Sequence, residues 1–355
     1  MRRYRQLGRL GLFVFLAQLL SAAVVAYLLI GIGVGERPDP LPTRADPAVD
    51  VAGTVAAGPS DSPAIGLQPT APPTATASPT ATASPNPTPS PTPTPAPRAN
   101  PDLPNTINEL PVTAFLDLDP GVLANIRAIY SAGLARGNNP RAFSKVGDST
   151  IESPYFLTRF DGDAYDLGPY QALQPVIDHF AGSFARQSMA VRRGLHSWTA
   201  TDPLWADKAN CQANESPLAC ELRQHRPVIV LIRLGANDSD TPAFFEESMR
   251  QVIEQILAQG AIPVLGTKPD RFEGPGNAVN ESLRRLAAEY QIPLWDFDRV
   301  AETLPNRGLG ADGVHLTSFY AHDYSAPAAL QRGHGVHNLS ALYVLDALWR
   351  ALEPR

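Results

Sequence analysis

Three short blocks hold the residue types of nucleophilic acyl chemistry: Gly147-Asp148-Ser149, Gly235-Ala236-Asn237-Asp238 and Asp312-Gly313-Val314-His315. A serine hydroxyl is a weak nucleophile at its free pKa, so it needs a base within hydrogen-bond reach and a third group that fixes the base's tautomer. Asp312 and His315, three positions apart in one loop, supply both. The carboxylate can turn back to the imidazole Nδ1 and leave Nε2 facing Ser149. The oxyanion that develops during attack needs donors held in place. The side-chain amide of Asn237 and the backbone N–H of Ser149 form the natural pair, with a third N–H from a glycine after a second strand. Each block alone is an ordinary turn; their joint meaning depends on where the chain places them.

The flanking sequence alternates strand-like and helix-like runs. Residues 121–137 carry apolar side chains at helical spacing, and 141–146 form a short strand candidate that runs into Gly147. Residues 170–180 read as a helix and 183–191 as a weaker strand. Residues 227–234 (PVIVLIRL) are a β-branched run of the kind buried on both faces of a parallel sheet. Residues 241–259 follow as a helix with Thr241 at its N-cap, then 261–266 as a strand, 277–290 as a helix and 292–297 as a strand. An amphipathic helix over 338–352, capped by Asn338, closes the chain. This order predicts an α/β fold, a doubly wound and mostly parallel five-stranded sheet with helices on both faces, whose ligand sits at the carboxyl ends of the strands. All three blocks fall just after predicted strands.

In that order and setting, the blocks resemble those of the SGNH (GDSL) hydrolase superfamily, over about residues 144–315. The resemblance implies a flavodoxin-like three-layer α/β/α domain and ester hydrolysis through an acyl-serine intermediate, with no metal or organic cofactor. Ser149 would be the nucleophile, His315 the base and Asp312 its partner. Asn237 and the backbone of Ser149 would serve the oxyanion hole together with a second-block glycine. Gly194, just after Met189-Ala190-Val191, is the better placed, and Gly182 is the other choice. Thr150 departs from the pattern, since an apolar residue often follows the serine. Residues 196–226 form an insertion, a lid or a passive surface excursion.

The rest of the chain gives this domain a setting. Of its 355 residues, 36 are proline, and 19 of those fall between Pro38 and Pro104. From Leu10 to Val34 no residue is charged, enough for a helix that spans a bilayer, and Arg2, Arg3, Arg5 and Arg9 precede it. We therefore expect a cytoplasmic tail over 1–9, a transmembrane signal-anchor over 10–34, a disordered Pro/Thr/Ser/Ala-rich linker over 35–105 and an exported catalytic domain over 106–355. A cleaved signal peptide ending near Ser21-Ala22-Ala23 is the competing reading. A formal net charge of −6 argues against a nucleic-acid partner.

Cys211 and Cys220, the only cysteines, suggest a disulfide in an exported domain. His322, His334 and His337 with Asp323 have spacing that suits a metal, but Gly333 and Gly335 favour a plain turn. Phe319, Tyr320, Tyr324 and Arg332 suit a cleft border. Trp198 and Trp205 could stack on a substrate, and Trp295, inside a strand, belongs to the core. The expected function is a membrane-tethered extracytoplasmic esterase acting on an O-acyl carbohydrate, a lipid or a small ester of the cell envelope or its surroundings. An O-acyltransferase using the same site and an inactive surface binding module are the alternatives.

Overall fold

A computed structural model describes residues 100–353. The expected tail, transmembrane segment and most of the linker lie outside the described residues. Among the described residues, no helix is long and apolar enough to cross a membrane.

The chain is packed from its first described residue. Asn100 Nδ2 donates to the Ala172 carbonyl at 3.0 Å, and Tyr343 Oη donates to the Pro104 carbonyl at 2.7 Å. Residues 100–104 therefore pack against the rest of the described chain. A small antiparallel hairpin, β1 (Thr106–Ile107) and β2 (Leu110–Pro111), opens it.

The main sheet has five strands in the order β3–β7–β6–β5–β4. They are β3 (Leu116–Asp117), β4 (Asn139–Gly147), β5 (Pro227–Arg233), β6 (Ile262–Gly266) and β7 (Leu294–Trp295). Strands β4 to β7 run parallel, and β3 closes the β7 edge antiparallel. Side chains alternate across the sheet, which gives two cores. Phe143, Ile229, Leu231, Val264 and Trp295 face helices α1 (Pro120–Ala135), α3 (Gln174–His179), α7 (Phe297–Glu302) and α8 (Gly333–Leu352). Val146, Val230, Ile232 and Leu265 face α4 (Pro217–His225), α5 (Pro242–Ala258) and α6 (Ala278–Tyr290). The three-layer α/β/α arrangement follows from this alternation.

One expected strand is absent. Residues 183–191 form no ladder with the sheet and have only a single isolated parallel bridge, between Gly147 and Val191. Polar Arg186, Gln187 and Ser188 interrupt the apolar pattern, and side chains take the backbone donors that a ladder would use. Asp161 accepts from Gly182 and Ala185, Glu221 from Met189, and Ser188 Oγ from Ala190. The fifth strand is instead β3, two residues long. The helix expected over 170–180 is a 3-10 segment (Gly168–Leu173) followed by α3, with Tyr170 off helical geometry. The last helix starts at Gly333, so Asn338 is no cap. It lies buried inside α8, where its Oδ1 accepts from Leu157 N at 2.9 Å and its Nδ2 donates to the Tyr155 carbonyl at 2.8 Å. Trp295 is fully buried and donates to Ser340 Oγ at 3.0 Å.

Candidate active site

Strand β4 ends at Gly147, and α2 (Ser149–Glu152) starts immediately after it. Asp148 caps that helix: its carboxylate accepts from Thr150 N at 2.9 Å, which fixes the turn and places Ser149 at the first helical position. Asp148 is almost wholly buried. Burial pushes its carboxyl up from the ordinary value, opposed by the Thr150 hydrogen bonds and the positive charge of Arg233.

His315 Nε2 lies 2.9 Å from Ser149 Oγ, and His315 Nδ1 lies 2.7 Å from Asp312 Oδ2. The other Asp312 oxygen accepts from the backbone N–H groups of Val314 and His315, each at 3.0 Å. One carboxylate thus shapes the loop and orients the ring it carries. The imidazole hydrogen bond, aided by those two amides, holds the Asp312 carboxyl down to about 2, so it is ionised at neutral pH. Both side chains are about half exposed, His315 at 49% and Asp312 at 53%, so the reacting edge of the imidazole is open to a substrate and to water.

The segment that contains Gly194 and the Gly235–Asp238 block meet beside this turn. The Gly147–Val191 bridge is reinforced by Gly147 N donating to the Ala190 carbonyl and Arg192 N donating to the Gly147 carbonyl, both at 3.0 Å. Residues 191–195 therefore pass alongside the turn that carries Ser149. Asn237 Nδ2 donates to the Leu195 carbonyl at 3.2 Å, and buried Asp238 accepts from Ser197 N at 3.1 Å and Ser197 Oγ at 2.9 Å. The Asn-Asp pair after β5 thus holds the segment that contains Gly194. Gly235 makes this turn possible: its φ is +117°, and a Cβ there would stand 2.6 Å from Val279 Cγ1. Gly194 has φ +72°, with open space where a Cβ would project. The N–H of Gly182 is already taken by Asp161, which leaves Gly194 as the glycine beside the turn.

Of the remaining candidates, His334 lines the cleft at Ser149 and the others lie outside that lining. Cys211 and Cys220 form a disulfide. The three histidines do not converge on one point: His322 Nδ1 lies 3.3 Å from the Tyr320 carbonyl, His334 Nε2 lies 3.3 Å from Ser153 Oγ, and His337 is stacked on Phe156 and Trp295. Trp198 and Trp205 pack edge to face in the insertion. Phe319 and Tyr324 are buried, while Tyr320 is exposed.

Sequence reading missed Arg233. It ends β5, is paired with Gly147, and is fully buried. Its guanidinium lies over the Trp295 and Phe297 rings and donates through Nη1 to His337 Nε2. Since a guanidinium only donates, His337 Nε2 is the acceptor and the ring's proton resides on Nδ1. An arginine inside an apolar run reads as a residue at a strand's exposed end, and nothing in the one-dimensional pattern distinguishes the two.

Comparison with known proteins finds a family match that takes in all three sequence blocks. Residues 146–319 match the GDSL-like Lipase/Acylhydrolase family. The thioesterase 1/protease 1/lysophospholipase L1 of Escherichia coli strain K12 is 31% identical over 103 residues, covering 26% of this chain and 48% of that protein, and its counterpart in strain CFT073 matches equally. The chain thus spans about half the length of the curated relatives it matches. Among solved structures, TesA is similar at 20% identity and a TM-score of 0.36, covering 60% of this chain and 98% of that one. The psychrotrophic esterase EstA from Pseudoalteromonas sp. is similar at 19% identity and a TM-score of 0.33, covering 50% and 87%. With its motif blocks set at the strand ends, the segment over residues 146–319 belongs to the GDSL-like Lipase/Acylhydrolase family.

Proposed function

We propose that the protein is a serine esterase working through an acyl-Ser149 intermediate. The observation that carries this reading is the continuous Ser149–His315–Asp312 hydrogen-bond chain at 2.9 and 2.7 Å. In the first half-reaction Ser149 Oγ bonds to the ester carbonyl carbon while its proton passes to His315 Nε2. The bond to the alcohol oxygen then breaks, and the alcohol departs with that proton. In the second, water gives a proton to Nε2, its oxygen bonds to the acyl carbon, and Ser149 leaves and recovers the proton. Asp312, ionised throughout, balances the imidazolium in both halves. The Ser149 and Gly194 backbone N–H groups and the Asn237 amide are the donors for the oxyanion.

The apolar run over 10–34, with its arginine flank, supports tethering of this enzyme to a membrane with the catalytic domain outside the cytoplasm. Retention in the membrane pellet after alkaline carbonate washing tests the tether.

The enzyme reading is tested with the purified full-length chain in detergent and p-nitrophenyl acetate. Ser149→Ala should lower kcat by about 10³-fold or more, and a phosphonate ester should label Ser149 alone, read by peptide mass. Equal turnover by the two proteins would overturn the reading.

A further inference from the structure

A second cavity lies at the far edge of the sheet from the nucleophile. Ser149 follows β4, which forms one edge, whereas β3 forms the other, and Leu116 and Asp117 of β3 line a cavity of about 430 Å³. Its apolar wall comes from Leu103, Val112, Leu116, Leu118, Tyr343 and Ala347. Tyr343 is buried, and its hydroxyl, donating to the Pro104 carbonyl at 2.7 Å, holds the ring in that wall. Three carboxylates, Asp117, Asp119 and Asp346, also line the cavity, and among the described residues no lysine or arginine does.

The three carboxylates are not equivalent. Asp346 is buried and accepts from Arg350 Nε through both oxygens, at 3.0 and 2.9 Å, so its charge is already matched. Asp119 gives one oxygen to Val122 N at 2.8 Å, and Asp117 is exposed. Negative charge at the rim of an apolar wall fits a segment that joins a cation to apolar rings, and the chain itself supplies one. Asn100 lines the cavity, and the residues ahead of it read Pro95-Ala96-Pro97-Arg98-Ala99. From Ser62 to Asn100, Arg98 is the only charged residue. Two residues span at most about 7 Å, which keeps Arg98 within side-chain reach of the rim that Asn100 helps to form. Proline rings present apolar area on a backbone whose φ is already fixed, so little conformational entropy is lost when they dock.

We propose that residues 95–98 dock in this cavity, with Pro95 and Pro97 against the wall of Leu103, Val112 and Tyr343 and with Arg98 paired to Asp117 and Asp119. The occupant is this chain's own linker, kept at high local concentration by its connection at Asn100. The docking is independent of the esterase reading. Its consequence is one of placement: the linker leaves the domain along the β3 edge, opposite the edge that carries Ser149, and the proline-rich chain stays clear of the nucleophile.

Trypsin reads this docking, because the linker contains two Arg-Ala bonds, after Arg44 and after Arg98. The test uses the full-length protein in phospholipid nanodiscs, which keeps free detergent out of the cavity, and follows both cleavages by fragment mass. Two exposed lining positions supply the variants: Thr113→Trp, which fills the cavity, and Asp117→Asn, which removes charge from its rim. Each should raise the rate of cleavage after Arg98 about tenfold, since proteolysis follows the population of the open form, and leave cleavage after Arg44 unchanged. Thermal melting of each variant checks that faster cleavage does not come from an unfolded domain. An Arg98 rate unmoved by Thr113→Trp would overturn the docking, and one unmoved by Asp117→Asn would remove the ion pairing on which it depends. Protection of Arg98 that fades on dilution would assign the cavity to the linker of a second copy and overturn docking within one chain.

Discussion

Gly147 and Arg233 face each other across the β4–β5 ladder at the point where both strands deliver functional loops, and a Cβ on Gly147 would lie 2.4 Å from the Arg233 carbonyl oxygen. The same atom would stand 2.5 Å from Ile151 Cδ1 in the helix that starts at Ser149. The backbone side of that contact cannot rotate away. Gly147→Ala should therefore shift the nucleophile turn, costing about 1–3 kcal/mol of stability by overpacking. It should lower kcat about 100-fold, as for a displacement of roughly an ångström. Urea unfolding and ester kinetics on one preparation check both. Full activity in Gly147→Ala would mean that the turn tolerates the shift.

Arg233 places a positive charge in the core next to two buried carboxyl groups, Asp148 and Asp270. Because the Asp148 pKa is raised, the folded protein keeps a proton that the unfolded chain has released, and stability falls as pH rises through that window. Removing the cation extends the window upward. Arg233→Met should cost about 3–5 kcal/mol at pH 8 and less at pH 5. Arg233→Lys should recover only part of it, since an ammonium cannot reproduce the planar stacking. Equal losses at the two pH values would contradict the coupling to Asp148.

Asn237 reaches the Leu195 carbonyl with one amide hydrogen and retains a second for the substrate. Asn237→Ala should lower kcat about 10²–10³-fold with little change in KM, the pattern of an interaction made only in the transition state. A rise in KM alone would assign the residue to substrate binding.

Three histidines are held neutral by burial. His225, also facing the Arg186 charge, and His334 are lowered to about 4, and His337 lies well below its ordinary value beside Arg233. Between the ordinary histidine value near 6.5 and these lowered values, the unfolded chain takes up protons that the folded chain refuses. Stability should therefore be intact above pH 6.5 and decline as pH drops towards 4. Melting temperature against pH measures this, and His334→Gln should flatten the slope. Asp312, held down to about 2, contributes no loss of activity over that range.

The local geometry of the motif blocks was legible because each is held by near neighbours in sequence. Asp148 caps its own helix, Asp312 bonds a ring three residues on, and Gly235 needs its conformation whatever the rest of the chain does. The continuous apolar run of β5 and the helical spacing of α1 and α6 were legible for the same reason. What was not legible depends on partners far away in sequence. Leu116–Asp117 becomes a strand only because β7 offers an edge, and residues 183–191 fail to become one because Asp161 captures the Ala185 amide and Glu221 the Met189 amide. Asn338 reads as a cap until Leu157 and Tyr155 fill its hydrogen bonds. Arg233 reads as an exposed strand end until His337, Trp295 and Phe297 enclose it.

The bonds at the start of the described chain have a mechanical consequence. Asn100 is tied to Ala172 and Pro104 to Tyr343 of α8, before the chain reaches either sheet. Tension entering at Asn100 is thus delivered first to two side-chain clamps and to the long buried helix. It does not begin by unzipping β3, whose two residues would peel one bond at a time. The two clamps stand in the path of such a load as a strain relief placed ahead of the sheets.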